Sequence, residues 1–566
     1  MTVIATAGHV DHGKSSLIRA ITGLEPDRLA EEQRKGMTID LGFAHVTTAA
    51  GTTLSFVDVP GHTDFIRTMI SGVSGVDVAL LVIDAGEGWK PQTEEHLGIL
   101  EILGVTAGVV ALSKCDRVSN EVAALRTSEI THRLRDSSIE WHGIVHTSVR
   151  TGDGLHQLVS LLETVVQPTY RSHRIGAHRL FVDRVFTIKG SGTIVTGTLD
   201  GSSLRTSDLL SVARTSEPVR LRSIQVHGKT VEQCEPGTRC AVNLLGIDVD
   251  QLIRGDVLVS PTSWKITDVF DATITTLAAA PRPLTQRGSF IVHVGTNSQT
   301  ASVRIIGAAQ IPASSQGNIR VRFTQPLPLV PGDRYLLRDT STNTTIGGGV
   351  ILDVDPITRL SRAHPTGTVD SIMEGRGFVS LEEAQRLTGQ LVEPVAGRWF
   401  ATPDVVNDTL ARLTRQLEEH TQLNISHLLP HERDVMMLIP SAVVDGDVLR
   451  LQTSTPLASH PLATTLREWG ITGPSSTTVD RNVMRQLVQR GIAFEHDSIA
   501  FHAESLQELR PHLELLWSHS PDGFTMSQLR EQLGITRKHA VPLGECLDKI
   551  GLTRRTGDRR LPGHKW

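Results

Sequence analysis

Short apolar runs alternate with helix-like segments in the first third of the chain. Residues 2–7, 54–57, 76–84 and 109–112 are mainly apolar and have the length of buried strands, and residues 92–103 carry a helical pattern between the last two runs. Strands that alternate with helices at this spacing predict a doubly wound parallel sheet. In such a sheet the binding site lies at the carboxyl ends of the strands.

The middle and the end of the chain follow other patterns. Apolar and polar positions alternate over residues 173–262 and again over residues 263–364, with glycine turns at short intervals, which predicts two antiparallel β-barrels. Further on, residues 485–502 and 545–562 each resemble a helix that ends at glycine and is followed by strand, turn and strand. That order is typical of a winged helix, and a repeat of about 50–60 residues indicates an array of about three or four such modules.

Composition and charge narrow the class of protein. The length of 566 residues exceeds what one hydrophobic core supports and indicates about three to five domains. No apolar run is long enough to cross a bilayer and the N-terminus lacks a secretory pattern, so we expect a cytoplasmic protein without membrane contact. The net charge of −5 argues against indiscriminate binding of nucleic acid, so any such contact must come from a local basic patch.

The cysteines give no sign of a metal site. Cys234 and Cys240 are close in sequence, but neither a second cysteine pair nor a histidine cluster completes a zinc-finger spacing with them. We expect these residues, together with Cys115 and Cys546, to be reduced thiols.

A phosphate-binding loop follows the first predicted strand. Residues 8–15 (GHVDHGKS) have two glycines separated by four residues and followed by Lys14 and Ser15, as in a P-loop. The glycines let backbone N–H groups point at phosphate oxygens, Lys14 adds a positive charge, and the Ser15 hydroxyl is a ligand for Mg²⁺. The helix that starts next faces the anion with its N-terminus. The predicted phosphate-binding residues are Asp11, His12, Gly13, Lys14, Ser15, Ser16 and Gly61.

A second motif follows the strand at residues 54–57. Asp58 at the end of a strand can hold the Mg²⁺ shell through water, and the N–H of Gly61 can meet the γ-phosphate, so this loop senses whether that phosphate is present. Thr38 lies between the two phosphate motifs and is the candidate second hydroxyl ligand. Loss of the γ-phosphate would release its segment. Ser15, Thr38 and Asp58 therefore form the predicted metal site.

Residues that suit guanine follow the next strands. The Asp116 carboxylate can accept both N–H donors of guanine, which adenine lacks at those positions, and the stem of Lys114 can cover the base. After one more predicted strand, at residues 144–147, the backbone N–H groups of Ser148 and Val149 are placed to meet the guanine oxygen. The first domain is therefore predicted to bind GTP and GDP.

These motifs resemble those of the translational GTPases, the family of elongation factor Tu. The resemblance rests on residues 8–15, 36–39 and 58–62. It implies ribosome-stimulated GTP hydrolysis in which His62 orients the attacking water behind an apolar gate of Val10 and Met37. Met37 replaces the usual isoleucine. Ser113 replaces the asparagine that opens the guanine motif and can keep one of its hydrogen bonds.

A narrower resemblance is to the bacterial selenocysteine-specific elongation factors (SelB). It is carried by residues 27–29, 34–44 (RKGMTIDLGFA), 183–186 and 190–198, and it extends over essentially the full chain. It implies barrels that grip the aminoacyl end and acceptor arm of a tRNA, followed by four winged helices. The predicted fold class is thus multidomain: an α/β P-loop GTPase domain, two antiparallel β-barrels, then α+β winged-helix repeats. The predicted boundaries are 1–172, 173–262, 263–364, 365–403, 404–456, 457–504 and 505–566.

The resemblance also implies an aminoacyl pocket that includes Asp183, Arg184 and Arg239. A selenol is mostly ionised at neutral pH, whereas serine and the cysteine thiol are neutral. A pocket with excess positive potential would therefore favour the selenolate. Each of the three residues could equally belong to a surface ion pair worth about 0–1 kcal/mol.

The last module carries an uneven charge. From residue 528 to 566 there are nine Lys/Arg against four Asp/Glu, a difference of +5. A basic wing can be a feature for solubility only. Here the clusters fall on the predicted recognition helix and wing, which suits a stem-loop whose backbone is gripped. In the family this module holds the mRNA hairpin that recodes UGA. The candidate hairpin contacts are Arg537, Lys538, His539, Arg554, Arg555, Arg559 and Arg560.

The sequence therefore predicts a monomeric GTPase that delivers selenocysteinyl-tRNA to the ribosome at UGA codons marked by an mRNA hairpin, with GTP/GDP and Mg²⁺ as cofactors. Holding both RNAs at once would raise the local concentration of the carrier at one codon. One alternative is a translational GTPase that carries a different tRNA. The other is a GTP-switched winged-helix regulator that binds DNA, which the two barrels disfavour.

Overall fold

A computed structural model describes residues 2–26, 38, 40–61, 68–70, 76–165, 177–190, 192–420, 422–440, 442–451 and 457–566. The chain divides into two units, residues 1–408 and residues 409–566. Within the described ranges, no helix combines the length and the apolar character that a membrane crossing requires.

The N-terminal domain is built on one six-stranded sheet. Its strands are β1 (Thr2–Ala7), β2 (Gly42–Thr47), β3 (Thr53–Asp58), β4 (Val78–Asp84), β5 (Ala107–Ser113) and β6 (Glu140–His146). Its helices are α1 (Lys14–Thr22), α2 (Pro91–Ile102), α3 (Asn120–Arg133) and α4 (Leu155–Val165). The order is β2-β3-β1-β4-β5-β6, and all neighbours are parallel except β2 with β3. The carboxyl ends of β1, β3, β4 and β5 consequently share one edge of the sheet.

Burial explains why these segments form strands. Every residue of β4 is buried, because helices cover both faces of a parallel sheet. On one face, Leu17 of α1 and Leu158 of α4 pack in the same apolar cluster as Val82 of β4. β4 begins at Val78 instead of residue 76, since its pairing with β1 starts there, opposite Ile4.

The next two domains are antiparallel barrels, as the sequence predicts. The first consists of β7 (His178–Ile188), β8 (Gly192–Gly201), β9 (Leu204–Arg205), β10 (Leu209–Val212), β11 (Pro218–Val226), β12 (Lys229–Val231), β13 (Gln233–Cys234), β14 (Arg239–Leu245) and β15 (Val257–Val259). The order β10-β15-β7-β8-β14-β11 closes into a ring because β10 also pairs with β11.

The second barrel is closed in the order β16-β21-β19-β18-β22-β23. The strands of this domain are β16 (Lys265–Thr276), β17 (Leu284–Thr285), β18 (Phe290–Val294), β19 (Asn297–Ile306), β20 (Gln310–Ile311), β21 (Gln316–Leu329), β22 (Arg334–Asp339) and β23 (Thr344–Asp353).

Helix α2 contacts the second barrel. The Thr345 hydroxyl donates to Glu95 Oε1 at 2.9 Å, and Arg334 Nη1 donates to the Ile102 carbonyl at 2.7 Å. Gly98 of α2 lies so close to the second barrel that a Cβ there would be 2.7 Å from a methyl group of Leu277. The absence of a side chain at this position lets the helix pack directly on the barrel.

A buried arginine joins the two barrels. Arg179 on β7 donates to Asp200 of its own barrel and to both carboxylate oxygens of Asp333 in the other, at 2.6 and 2.7 Å. Its guanidinium also lies 4.5 Å from the ring centroid of Trp264. Burial disfavours the charge, but Asp333 and Asp200 outweigh it and raise the pKa of Arg179. The two barrels are thereby joined by an ion pair between Arg179 and Asp333 in a mainly apolar environment.

The rest of the chain consists of short helices and hairpins. The helices are α5 (Val369–Met373), α6 (Leu381–Thr388), α7 (Pro403–His420), α8 (Pro430–Val435), α9 (Pro461–Trp469), α10 (Arg481–Gln489), α11 (Ala503–Gln507), α12 (Arg510–His519), α13 (Met526–Leu533) and α14 (Arg537–Ile550). The strands are β24 (Val379–Ser380), β25 (Trp399–Phe400), β26 (Gln422–Asn424), β27 (Ala442–Asp445), β28 (Val448–Leu451), β29 (Ala493–His496), β30 (Ile499–His502), β31 (Phe524–Thr525), β32 (Thr553–Thr556) and β33 (Arg559–Pro562).

Successive small apolar clusters stabilise these segments. They are centred on Ile372, Leu413, Leu466 and Leu543, in chain order. The last cluster also contains Phe501 from β30, so the final module shares a hairpin with the one before it. In the final module, α12, α13 and α14 are followed by the β32–β33 hairpin, and β31 completes a three-stranded sheet. This is the winged-helix order, which confirms the α+β prediction for this region.

We predict that Arg179→Ala loosens the contact between the barrels. It leaves the largely buried carboxylate of Asp333 without its charged partner; the loss of one partner of a fully buried pair typically costs about 3–5 kcal/mol, which is the upper bound here. The measurement is hydrogen exchange in peptides from β7 and β22 of the full-length protein, where faster exchange is expected. The matched control is Arg304→Ala on β19, an exposed arginine bound only to Gln286 in the described structure, which should change stability by less than about 0.5 kcal/mol. Equal exchange in both variants would contradict the prediction.

Candidate functional site

The loop between β1 and α1 has a backbone course that requires glycine. Gly8 has a φ of 127°, and a Cβ there would lie 2.2 Å from the carbonyl oxygen of Val82 on β4. Gly13 has a φ of 91° and leads directly into α1 at Lys14. Both values lie in the left-handed region that side chains disfavour. The loop therefore meets the N-terminus of a helix, whose first amide groups can bind an anion.

Lys14 lies across this loop. Its ammonium group donates to the carbonyls of Gly8 at 3.0 Å and His9 at 2.9 Å, and its side chain is buried. A Cβ on Gly61 would lie 2.4 Å from the same ammonium group. The P-loop and the motif that contains Gly61 are about 45 residues apart in sequence, and they meet at the ammonium group of Lys14. Ser16 lies on the exposed side of α1.

Oxygen atoms suited to a cation lie beside Lys14. The hydroxyls of Ser15 and Thr38 are 2.8 Å apart, although the two residues come from different segments. Asp58 ends β3 and is fully buried, and its Oδ1 accepts a hydrogen bond from Thr6 at 2.7 Å. Hydroxyl and carboxylate oxygens are the ligands that Mg²⁺ prefers. The donor set of the predicted metal site therefore fits this ion.

Side chains of helix α2 accept hydrogen bonds from the loop between β1 and α1. Its Gln92 Oε1 accepts from the N–H of Val10 at 3.2 Å, and its His96 Nδ1 accepts from the N–H of Gly8 at 3.1 Å. Burial lowers the pKa of His96 to about 3 and that of His12 to about 4, so both rings are neutral at neutral pH. Sequence reasoning missed Gln92 and His96. Their spacing of four residues on a helix, which places them on one face, was the available signal.

Ser113 and Lys114 connect the segment predicted to bind the base to the loop between β1 and α1. The Ser113 hydroxyl donates to the carbonyl of His12 at 2.7 Å, and Lys114 Nζ donates to the carbonyl of Asp11 at 2.6 Å. Lys114 also forms an ion pair with Asp84 at 2.8 Å. Burial opposes the charge on Asp84, but the hydrogen bonds from Lys114 and from the backbone N–H groups of Gly86 and Glu87 together outweigh it and lower the pKa of Asp84. Asp84, at the carboxyl end of β4, is a further residue of this site that the sequence analysis did not assign.

Asp116 is held by the following loop. Its Oδ1 accepts from the Ser148 hydroxyl at 2.7 Å and its Oδ2 from Arg150 Nε at 2.8 Å. The Ser148 hydrogen bond, followed by Arg150, lowers the pKa of Asp116. Val149 is exposed beside them. The residues predicted to contact guanine are thus neighbours.

His62 and Met37, the predicted catalytic histidine and one side of the gate, lie outside the described residues.

Of the three residues expected in the aminoacyl pocket, Arg184 and Arg239 contact the sheet domain, whereas Asp183 is buried in the first barrel. Arg239 donates to both oxygens of Asp183, at 2.9 Å each, and to the Thr196 hydroxyl. Arg184 forms an ion pair with Asp40 at 2.8 Å. Arg184 and Arg239 line a cavity of about 470 Å³ whose wall includes Phe43, Phe186 and His227. Burial is the largest cause that lowers the pKa of His227, and nearby His45 and Arg239 act in the same direction.

The basic residues of the final module divide into two groups. Arg537 and Lys538 are exposed at the start of α14, where His539 is half-buried with its ring nitrogen 3.0 Å from the Thr536 hydroxyl. The exposed arginines of the wing hairpin are Arg554, Arg555 and Arg559.

Arg560 departs from the expected surface position. It is buried, and its guanidinium pairs with Glu545 at 2.9 Å and with Asp548 at 3.0 Å. It therefore joins the wing to α14 and adds no charge to the exposed surface. The alternation of side chains along β33 explains the difference, since Arg559 and Arg560 must point to opposite sides.

Three family models match parts of the chain. Residues 1–168 match the elongation factor Tu GTP binding domain. Residues 271–358 match the beta-barrel domain of selenocysteine-specific elongation factor, and residues 517–561 match the winged helix of elongation factor SelB.

Known proteins with similar sequences extend over the whole chain. The selenocysteine-specific elongation factor of Desulfomicrobium baculatum is 31% identical and covers 99% of each chain. The protein of the same name from Escherichia coli (strain K12) is 30% identical over 99% of this chain and 98% of its own.

Solved structures agree with the fold. The crystal structure of a bacterial selenocysteine-specific elongation factor covers 100% of both chains with a TM-score of 0.65 at 24% identity. SelB from Methanococcus maripaludis, in complex with the GTP analogue GppNHp, covers 63% of this chain and 80% of its own with a TM-score of 0.54 at 26% identity.

We predict that the buried neutral His96 makes the sheet domain sensitive to acid. The unfolded chain takes up a proton on this histidine near its usual pKa of 6.5, whereas the folded domain resists protonation down to about 3. Below pH 6.5 the unfolded state therefore binds more protons, and the free energy of unfolding should fall by about 1–2 kcal/mol between pH 7 and pH 5 from this residue alone.

Urea unfolding of the full-length protein across this pH range, followed by hydrogen exchange in peptides of β1 and β4, measures the effect. His96→Asn should flatten the pH dependence of stability whatever its effect at pH 7, whereas the exposed His142→Asn should leave it unchanged. The same slope in His96→Asn and the native protein would show that His96 is not the responsible group.

Proposed function

Because the chain belongs to the family of selenocysteine-specific elongation factors, we propose that it delivers selenocysteinyl-tRNA to the ribosome in a GTP-dependent complex, at UGA codons marked by an mRNA hairpin. The observation that carries this proposal is that one chain combines a phosphate-binding loop of the elongation factor Tu type with a winged helix of the SelB type at its far end.

GTP binding and hydrolysis belong to the N-terminal domain. We propose that Lys14 neutralises phosphate charge and that the amides at the start of α1 hold phosphate oxygens. The position of the Lys14 ammonium group at the Gly8 carbonyl and the start of the helix at Lys14 support this. We propose that His62 orients the water that attacks the γ-phosphate, and that hydrolysis is slow until the ribosome positions this histidine. Val10 and Met37 would shield the water until then.

Mg²⁺ would be held by the hydroxyls of Ser15 and Thr38, with Asp58 behind them through water. The close approach of the two hydroxyls supports this assignment, since two segments far apart in sequence supply hard oxygen ligands at one point. The ion supplies charge neutralisation for the phosphates when it is bound.

Guanine would be selected by Asp116. Its two oxygens are directed by Ser148 and Arg150, and its lowered pKa keeps it ionised as an acceptor for both guanine donors. Ser113 keeps a hydrogen bond to the phosphate loop, which supports the view that a serine can replace the usual asparagine here. Binding of guanine would compete with Arg150 for the Oδ2 atom.

The arginine pocket would receive the aminoacyl group. Arg239 is fixed by both oxygens of Asp183, so the direction of its guanidinium is set before any ligand arrives. The excess of guanidinium groups over carboxylates in this region favours an ionised selenol over the neutral hydroxyl of serine.

The hairpin would bind the final winged helix. The exposed start of α14 carries Arg537 and Lys538, and the wing carries Arg554, Arg555 and Arg559. We propose winged-helix modules at residues 365–403, 404–456, 457–504 and 505–566, and the order of the apolar clusters supports this division. The GTPase domain and the barrels would occupy residues 1–172, 173–262 and 263–364.

We predict that Arg239→Ala narrows the preference for selenocysteinyl-tRNA over seryl-tRNA by about tenfold or more, equivalent to about 1.4 kcal/mol. The reason is the loss of the cation that interacts with the selenolate and not with the neutral serine hydroxyl. The measurement is equilibrium binding of both tRNAs to the full-length protein with a non-hydrolysable GTP analogue and Mg²⁺.

The exposed Arg220→Ala on the same barrel is the matched control and should preserve the preference. A native protein that binds both tRNAs equally would contradict the proposed substrate. An unchanged preference in Arg239→Ala would show that Arg239 does not contribute to the preference of the pocket.

A further prediction concerns the wing. Replacing Arg554 and Arg559 together by alanine should weaken binding of a hairpin RNA by about tenfold or more and reduce its salt dependence, because phosphate contacts release counterions. Arg485→Ala, an exposed arginine on α10, should have little effect. Electrophoretic mobility shifts with hairpin RNA and with duplex DNA test both points. Tighter binding to the DNA would contradict an RNA clamp.

A further inference from the structure

We propose that Asp84, at the carboxyl end of β4, is a positioning residue of the nucleotide site. Its carboxylate holds the Lys114 side chain between the segment predicted to bind the base and the loop between β1 and α1. This inference rests on the proposed binding of guanine nucleotides by the N-terminal domain. It makes the lifetime of a bound nucleotide depend on an acid that acts through Lys114.

The two oxygens of the Asp84 carboxylate have separate partners. Oδ1 accepts from the backbone N–H groups of Gly86 at 2.7 Å and Glu87 at 3.2 Å, and Oδ2 lies 2.8 Å from Lys114 Nζ. Although burial opposes ionisation, these contacts lower the pKa of Asp84, so the carboxylate is charged at neutral pH. One oxygen therefore fixes the turn that leads to α2, and the other supplies the counter-charge for Lys114.

Lys114 lies across the loop between β1 and α1. Its Nζ donates to the Asp11 carbonyl at 2.6 Å, and its Cε is 3.9 Å from where a Cβ on Gly13 would be. Lys114 has a φ of 57° and Asp11 a φ of 63°, and both values lie in the left-handed region that side chains disfavour. Strained backbone of this kind persists where surrounding contacts hold it. The ammonium group joins the two strained residues, and Asp84 holds that group.

The serine at position 113 increases the dependence on Lys114. A serine hydroxyl has one proton to donate, and that of Ser113 is directed to the His12 carbonyl at 2.7 Å. It therefore has no second proton to donate to a base. The base would depend on the Asp116 carboxylate and on the stem of Lys114, which is predicted to cover it. Asp84 lies directly opposite Ser113 in the pairing of β4 with β5, one strand away from this segment.

These contacts imply that Asp84 slows the release of nucleotide. A side chain that is held in place before the ligand arrives loses less freedom on binding, and the gain appears mainly in the dissociation rate. Without the charge of Asp84, the ammonium group of Lys114 keeps only its bond to the Asp11 carbonyl among these contacts. The stem would then leave the base more often. Because the base and its segment are the same in both nucleotide states, GDP and GTP should be affected alike.

The test is Asp84→Asn in the full-length protein with Mg²⁺. The amide oxygen of asparagine can still accept from the N–H groups of Gly86 and Glu87, whereas the charge that holds Lys114 is lost. The dissociation rates of fluorescent GDP and of a fluorescent non-hydrolysable GTP analogue, measured by stopped flow, should both rise about tenfold. Their ratio should change by less than about twofold. Asp84→Ser, whose hydroxyl can also accept from the Gly86 N–H, is a second neutral variant and should behave alike.

A double-mutant cycle separates positioning from a purely structural role. Lys114→Met keeps most of the stem, removes the ammonium group and should itself speed release. Adding Asp84→Asn to Lys114→Met should change the rate by less than about twofold, because no ammonium group remains to be held. If Asp84 served only the turn before α2, its replacement would have the same effect in both backgrounds.

Asp77→Asn is the matched control. Asp77 precedes the amino end of β4, about 20 Å from Asp84 along the strand, and its carboxylate accepts from the Val3 N–H at 2.9 Å. The variant removes the same charge from the same strand and should change release by less than about twofold.

The outcomes separate the two proposals. A native protein that binds no guanine nucleotide contradicts the proposed function. Native binding with unchanged release from both neutral variants of Asp84 overturns the inference alone. Equal effects of Asp84→Asn in the native and Lys114→Met backgrounds also overturn it, as does a change confined to the GTP analogue, which would assign Asp84 to the γ-phosphate and not to Lys114.

Discussion

The loop between β1 and α1 is the constraint on which the rest of the sheet domain depends. Its backbone passes so close to Val82 that only glycine fits at position 8, and Lys14 is bound by the carbonyls of the same loop. Gln92 and His96 hold two of its amides from α2. A site that is shaped before its ligand arrives loses less conformational freedom on binding, so these contacts favour tight nucleotide binding.

Helix α2 connects this loop to the second barrel. One part of its surface holds the amides of the loop, and another carries Glu95 and the carbonyl of Ile102, which bind Thr345 and Arg334. Helix α2 is continuous over its twelve residues. Arg179 in turn unites the two barrels through Asp333. Rigid elements of this kind are the physical means by which one site can influence another.

Patterns in the sequence predicted the parts of the fold that depend on local rules. The loop at residues 8–15 and the strand ends at Asp58 and Ser113 follow from motif and burial, and the fold class and the family resemblance are confirmed. The spacing of Gln92 and His96 indicates that they share one face of α2, but that this face binds the loop could not be predicted, because it requires knowing how α2 packs against β1. The same is true of Asp40, whose partners belong to another domain, and of Arg560, whose direction depends on the pairing of β33. The roles of the predicted site residues remain predictions.

The burial of Arg560 has a mechanical consequence for recognition at the far end of the chain. Its ion pairs with Glu545 and Asp548 connect the wing strand to α14 and so restrain the angle between helix and wing. The protein surface that a nucleic acid would contact on both elements therefore has little freedom to change shape. If a hairpin RNA binds there as proposed, its unpaired bases, which rotate more easily, would adopt the shape that the protein offers. Discrimination among hairpins would follow from how readily each of them bends to that shape.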